Sequence, residues 1–502
     1  MNYRSVIFLL GRLLLALGVT LLIPAGIALY YGDGVASAFL ISAAIAGALG
    51  VSIESLFRTD LDGCFDRREA FMLVAATWVV ATLVGALPYV FIKGPSFVVD
   101  GLFESASGFT TTGASILDDV EAESQALLVW RSLTQWLGGM GIIVLGIAIL
   151  PKLAIGGMEL LGAEAPGPVN EKLTPRIART ARALWGIYAG LTGVLFGLLT
   201  LLGMGKFDAL NHALTTMATG GFSTRNASVG VYGGAIQMVV MTFMILAGVN
   251  FALHFNLLRK GSLTAVIRDS EFRVYLGLIL AAAILIGGDL VLHSGRAPVE
   301  ALRLGAFQTA TIVTTTGFST ADFDAWPNLS RALLLTLMFV GGCGGSTGGS
   351  IKVVRILIVF KRLGVEVKRV LRPHAVVPVR LSGRAIPDDV VTAVTTFFFL
   401  FVAIFAFGGL LLTMLGLEPV SAFTASATCL ANVGPGFGEV GPAHTMSYLP
   451  AQAKLILITL MIVGRLELYA VLVALFLCGE NLAKTWSNGR RQNRRLVHAP
   501  HA

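Results

Sequence analysis

Apolar runs of about twenty residues or more, cut by short polar connections, recur from one end of the chain to the other. Each is long enough to cross the roughly 30 Å hydrocarbon core of a bilayer as a helix. The runs lie near 6–31, 35–57, 70–93, 126–150, 181–204, 234–258, 273–293, 331–360, 389–416 and 452–479, which predicts ten spanning helices. The first two, joined by the turn Gly32-Asp33-Gly34, form a two-helix extension over 1–57. Val6 to Tyr31 is too long for a signal-peptide core and lacks a clear cleavage site, so it is read as a spanning helix. The other eight runs pair into four modules, at 70–150, 181–258, 273–360 and 389–479, followed by a basic tail at 480–502.

Between the two members of each pair lies a shorter stretch of one design, a small-residue helix running into a threonine-glycine turn. The copies are GLFESASGFTTTGAS (101–115), ALNHALTTMATGGFST (209–224), LGAFQTATIVTTTGFST (304–320) and SAFTASATCLANVGPGFG (421–438). Alignment puts Gly113, Gly221, Gly317 and Gly434 in register, at separations of 108, 96 and 117 residues. That period exceeds any solenoid repeat, so each unit reads as a small membrane module. The fold class is therefore an all-α polytopic membrane protein: four helix/re-entrant-loop/helix modules in pseudo-fourfold arrangement around one pore, plus two N-terminal transmembrane helices.

Extended backbone at membrane depth is tolerated only inside protein or beside a water-filled path. Glycine reaches positive φ without steric cost, letting successive carbonyls turn one way, and threonine adds hydroxyl oxygens. Four such loops can replace the water around a dehydrated monovalent cation, with the C-terminal end of each short helix aimed at the same place. The candidate filter residues are Thr111, Thr112 and Gly113; Ala218, Thr219, Gly220 and Gly221; Thr315, Thr316, Gly317 and Phe318; and Asn432, Val433 and Gly434. The fourth copy departs from threonine-glycine-phenylalanine, and the first lacks the phenylalanine.

Below the third loop, the inner helix contains Gly341, Gly342, Cys343, Gly344, Gly345, Ser346, Thr347, Gly348 and Gly349. Six glycines at about 1 kcal/mol each against alanine predict a break in the helix. Close helix packing is the competing reading. The fourth inner helix carries Arg465 and Glu467 in an apolar span; charges there must face protein or water. Arg465 lies 31 residues past Gly434 and Gly345 lies 28 past Gly317, so both sit at similar depth and can meet below the filter. Glu467, two residues on, faces away from Arg465. An interhelical salt bridge and a gating role both remain open.

The chain is 55% hydrophobic and 13% charged, against about 25% charged in soluble chains, with net charge +8. The positive charge is a topology signal rather than a nucleic-acid footprint. The connections 58–69, 151–182, 259–273, 361–388 and 480–502 hold 3, 5, 4, 7 and 5 Lys or Arg, together 24 of the chain's 37. The positive-inside rule then puts both termini in the cytoplasm and brings the re-entrant loops in from outside. Cys64, Cys343, Cys429 and Cys478 are scattered, with no CxxC pair. His212, His254 and His293 lack ligand spacing and read as satisfied polar contacts. No HExxH or GxxxxGK[ST] element is present, so an enzyme reading has no catalytic constellation to rest on.

The four loop endings TTTGAS, ATGGFST, TTTGFST and NVGPGFG, the GGCGGSTGGSIK break and the GRLEL segment resemble the TrkH family, the membrane subunits of bacterial Trk potassium uptake systems. The match runs over essentially the whole chain, and the start at 6–57 is similar to Trk rather than to shorter Ktr-type subunits. The resemblance implies potassium as the transported ion and an inner-membrane homodimer. It also implies a cytosolic TrkA-type partner that carries the regulatory nucleotide, with no cofactor in this chain. It further implies that the four loops are the filter, that residues 341–349 are the gate and that Arg465 is the charge beside it. Lys361, Arg362, Lys368, Arg369 and Arg372 are either part of the partner's docking face or topology charges. The sequence leaves passive flux and symport with protons or sodium open. The alternative of another class is the potassium-binding subunit of a Kdp-like primary pump.

Overall fold

The computed structural model describes residues 3–58, 67–148, 173–375 and 377–468. The tail at 480–502, the end of the fourth inner span, Cys64, Cys478 and most of the basic connection 151–182 lie outside the described residues. Helices α1 (Tyr3–Tyr31) and α2 (Ala36–Leu56) form the predicted hairpin. Gly32 and Gly34 at its turn take φ of +71° and +74°, and Asp33 accepts the Ala126 N–H at 3.0 Å. That bond anchors the extension to the first module, where α1 packs on α3 (Arg67–Lys93) and α5 (Gln125–Ala148).

Each module begins with an outer helix that turns back into a short pore helix. The pairs are α3 with α4 (Val98–Phe109), α6 (Leu173–Leu201) with α7 (Lys206–Met217), α11 (Ser270–Ser294) with α12 (Pro298–Val313), and α15 (Asp388–Met414) with α16 (Pro419–Ala431). The inner helices are α5, α8 (Gly234–Ala247), α13 (Asn328–Met338) and α17 (Ala451–Arg465). Each packs on the pore helix of the next module: α5 on α7, α8 on α12, α13 on α16, and α17 back on α4. The four modules thus close into a ring, and the two-helix extension stays outside it.

Two inner spans differ from a plain crossing. The second, expected as one helix over 234–258, bends by 94° between α8 and α9 (Phe251–Lys260). Gly248 has no side chain to fill the corner, and Asn250 caps α9 by accepting the Ala252 N–H at 2.9 Å. The third stops at Met338 and resumes as α14 (Val353–Leu371), so the break is longer than the glycine run. Six continuous described helices are long and apolar enough to span, or seven segments counting the bent pair, against ten expected. The shortfall falls on the inner spans: α8–α9 is bent, α13 is short, and α5 and α17 run up to undescribed stretches. A short helix α10 (Leu263–Arg268) precedes α11, and a two-stranded hairpin, β1 (Arg380–Leu381) and β2 (Arg384–Ala385), joins α14 to α15. Large apolar side chains such as Val19, Leu29, Ile284 and Phe399 are exposed on the outer surface, as a lipid-facing wall requires.

Candidate ion pathway

All four pore helices stop in the same way. The N–H of the residue before the aligned glycine bonds the carbonyl five residues back: Thr112 to Ser107, Gly220 to Thr215, Thr316 to Thr311 and Val433 to Thr428, at 2.8–2.9 Å. The N–H one residue earlier bonds the carbonyl three back, giving the paired closure of a Schellman motif. Its left-handed position is usually glycine, but here it holds Thr111, Thr219, Thr315 and Asn432, with φ between +52° and +58°. Each threonine there costs about 1–2 kcal/mol of backbone strain, and asparagine tolerates the conformation best. The aligned glycines follow with φ of +81°, +77°, +82° and +105°. The residue between has negative φ in every copy, an alternation that turns successive carbonyls to one side.

The loops then meet head to tail. A Cβ added at Gly113 would lie 2.1 Å from the Gly220 oxygen, at Gly221 1.9 Å from that of Thr316, at Gly317 2.1 Å from that of Val433, and at Gly434 2.7 Å from that of Thr112. Each glycine therefore accommodates the carbonyl oxygen of the residue before the next loop's glycine, and the fourth contact returns to the first loop. Eight of the expected residues form this ring. Asn432 ties its ends together, its amide donating to Thr112 Oγ1 at 2.9 Å and to the Met461 carbonyl at 3.0 Å. Ala218 and Phe318 are fully buried in packing behind the ring. Among the described residues no three His, Cys, Asp or Glu side chains are grouped so as to hold a metal ion.

Residues 339–352 run directly beneath. Gly349 N–H donates to Thr315 Oγ1 at 2.8 Å, and Thr347 Oγ1 lies 3.2 Å from both the Met217 and Ala247 carbonyls, to one of which its hydrogen is given. A Cβ at Gly349 would meet the Ala431 oxygen at 2.4 Å, and one at Gly348 the Thr314 oxygen at 3.2 Å. The segment thus passes under the second, third and fourth pore-helix ends. Ser346 bonds the Cys343 carbonyl at 2.7 Å, and Gly341 and Gly345 take φ of +75° and +76°. The Arg465 guanidinium is buried and donates to the Thr347 carbonyl at 2.9 Å and to that of Gly138 at 3.5 Å. These contacts bring Arg465 and the glycine segment together. Glu467 turns the other way.

The segment is pinned at both ends. Gly344 and Val354 donate their N–H groups to one Glu271 oxygen, at 2.6 and 3.1 Å, so a single carboxylate joins the loop to the start of α14. Cys343 N–H bonds the Gly248 carbonyl at 2.9 Å, and Phe251 N–H bonds that of Gly345 at 3.1 Å, so the bend in the second inner span is also a socket for the loop. At the exit, Lys352 Nζ donates to Glu467 at 2.7 Å, and Arg355 donates to its other oxygen. All three side chains are buried. Glu467→Gln leaves two buried cations without a carboxylate, and the expected loss is about 3–5 kcal/mol. The exposed Arg12–Glu54 pair is the control: Arg12→Ala should cost less than about 1 kcal/mol. Thermal unfolding of the purified chain in detergent reads both, and equal shifts would remove the anchoring role.

Above the ring a cavity of about 190 Å³ opens onto all four aligned glycines. At its rim Ser447 and Thr445 donate hydroxyls to Asp118, with the Ser447 bond at 2.6 Å. These bonds hold the Asp118 carboxyl below its ordinary pKa.

The family model described as a cation transport protein, TrkH, matches residues 37–481. The chain belongs to the TrkH family. It is 40% identical over 477 residues to the Trk system potassium uptake protein TrkH of Salmonella typhimurium, covering 94% of this chain and 98% of the relative. It is 34% identical to the Trk system potassium uptake protein TrkG of Escherichia coli, covering 94% and 97%. The crystal structure of the potassium transporter TrkH from Vibrio parahaemolyticus superimposes with a TM-score of 0.87 at 38% identity, covering 94% of this chain and 98% of that one. The all-α architecture with four modules around one pore is the TrkH fold.

Several residues of this TrkH-family chain escaped the sequence reading. Gln135, on α5, donates to the Gly220 carbonyl at 2.6 Å and accepts the Phe222 N–H at 3.1 Å, clamping the second loop. Glu271, Lys352 and Arg355 anchor the segment below. A carboxylate two residues from Arg465, with basic residues just past the glycine run, was the signal available for the last two.

Proposed function

We propose that this chain is the membrane subunit of a Trk-type potassium uptake system, conducting potassium through the four-loop ring. In this reading Thr112, Gly220, Thr316 and Val433 supply carbonyl oxygens that replace the water around the ion. The segment 341–349 with Arg465 is the gate. The single observation that carries the reading is the closure of the ring, each aligned glycine against the carbonyl of the next loop. The potassium uptake named for the relatives supports the choice of ion. The pump-subunit alternative draws no support from relatives named as Trk uptake proteins.

A cytosolic TrkA-type partner carrying the nucleotide, a second copy of this chain, placement in the inner membrane and cytoplasmic termini belong to the same proposal. The distribution of Lys and Arg supports the orientation. For docking, Lys361 and Lys368 line a cytoplasmic-side cavity with Arg380, whereas Arg362 and Arg369 pair with Glu366. Neutralising Lys361, Arg362, Lys368, Arg369 and Arg372 together should weaken partner binding, and unchanged binding would leave them as topology charges.

The experiment is rubidium uptake into liposomes holding the purified chain, with potassium or sodium as competitor outside. Uptake blocked by potassium more than by sodium is the expected result. Absence of uptake from both the wild type and a variant shortened within 341–349 would overturn conduction by this chain.

A further inference from the structure

Aligned on the four loop glycines, the chain repeats a second pattern that conduction through the ring leaves unexplained. Nine residues before the glycine, in the pore helix, stand Glu104, His212, Gln308 and Ala425; two residues after it stand Ser115, Ser223, Ser319 and Gly436. A polar side chain below goes with serine above, and alanine goes with glycine. All four lower residues are fully buried.

The first two pairs are hydrogen-bonded across the loop. Ser115 Oγ donates to Glu104 Oε1, which also accepts the Ile116 N–H at 2.8 Å. His212 Nδ1 lies 2.7 Å from the Asp208 carbonyl, an acceptor only, so Nδ1 carries the hydrogen of the neutral ring. Nε2 then accepts from Ser223 Oγ at 3.0 Å. In the fourth copy the tie moves by one residue: Thr424 Oγ1 accepts the Phe437 N–H at 3.1 Å, while its own hydrogen has the Val420 carbonyl at 2.8 Å and the Phe437 carbonyl at 3.0 Å within reach. In the third, neither amide atom of Gln308 has a partner among the described residues, and Ser319 Oγ donates to the Ala321 carbonyl instead.

Arg131 joins the first two ties. It donates to Glu104 at 3.0 Å, to Ser115 Oγ at 3.1 Å and to the Ser223 carbonyl at 3.3 Å, with its guanidinium 4.0 Å from the centre of the Phe222 ring. His212 in turn faces Phe318 of the third loop, ring centres 5.8 Å apart. A continuous buried network therefore braces the outer side of the ring from loop one to loop three.

We infer that Glu104 and His212 are positioning residues for ion selectivity: each tethers the strand leaving the ring to the pore helix entering it, fixing the spacing of the ring oxygens. The inference rests on the conduction reading and deepens it. A ring free to contract would fit the smaller sodium ion better, so loss of a tether should lower potassium preference before it lowers uptake.

The test measures two ratios on the full-length chain: potassium against sodium as competitors of rubidium uptake, and the potassium and sodium concentrations that half-saturate thermal stabilisation in detergent. Ser223→Ala and His212→Phe should each lower both ratios about fivefold, the scale of one buried hydrogen bond. The double variant should be no worse than either single one. His212→Gln, whose side-chain carbonyl oxygen can accept from Ser223 Oγ, should stay within about twofold of wild type. Ser223→Ala is the smallest change and decides the matter by itself if His212→Phe does not fold. Unchanged ratios in folded Ser223→Ala overturn the tether while leaving conduction standing. A wild type that shows neither rubidium uptake nor preferential stabilisation by potassium overturns the conduction reading, and the tether with it.

Discussion

Gly221→Ala should reduce rubidium uptake by about a hundredfold, the equivalent of about 2.7 kcal/mol. Two independent penalties meet at this residue. Its φ of +77° costs an L side chain about 1–2 kcal/mol. The added methyl would also stand 1.9 Å from the Thr316 oxygen, so a carbonyl of the third loop has to leave its place. A flexible side chain could swing aside, but backbone fixed by the Thr316–Thr311 closure cannot do so cheaply. Gly190→Ala on α6 is the matched control, since nothing lies within 4 Å of a Cβ there. It should leave uptake unchanged and stabilise the helix by up to about 1 kcal/mol. Retained uptake and potassium preference in Gly221→Ala would remove the ring from the mechanism.

Shortening 341–349 while keeping Lys352 should raise rubidium uptake by the chain alone about tenfold or more, which corresponds to a barrier lowered by at least about 1.4 kcal/mol. The segment occupies the space beneath three pore-helix ends and carries the Thr347 carbonyl held by Arg465. Retaining Lys352 preserves the buried anchor on Glu467, so the change acts on the obstruction and not on the helices around it. Arg465→Gln separates steric from electrostatic blocking: it keeps a donor for Thr347 but removes the positive charge from the path, and a smaller rise is expected. If uptake stays flat or falls in the shortened variant, the segment is packing and the gate lies elsewhere.

The recurring threonine-glycine turns made the four modules legible, because positive φ at fixed intervals demands residue types that stand out in an apolar chain. The break at 341–349 was legible for the same reason. Its true length was not: Ser350 and Lys352 take φ of +62° and +74° without being glycine, held by the Ser350–Met338 bond and the Lys352–Glu467 pair. Tertiary contacts there override local propensity. The 94° bend at 248–250 was hidden because one glycine and one asparagine are ordinary in a membrane span; only the docking of Cys343 and Gly345 onto the corner explains it. His212 was read as a satisfied polar contact. Its place in the aligned series Glu104, His212, Gln308, Ala425 was visible in the sequence, but the serine across the loop gave it meaning only once the strand and helix were seen side by side.

The ring closes within a single polypeptide, and this sets the genetics of the pore. In a channel of four identical subunits, one codon change alters all four corners at once, and a slightly unfavourable residue is multiplied fourfold. Here a codon change reaches one corner only, so each can drift separately. Thr-Thr-Gly can stand in two corners, Thr-Gly-Gly in another and Asn-Val-Gly in the last, while the neighbouring corners hold the geometry. On the proposed conduction through the ring, selectivity is adjusted in quarter steps.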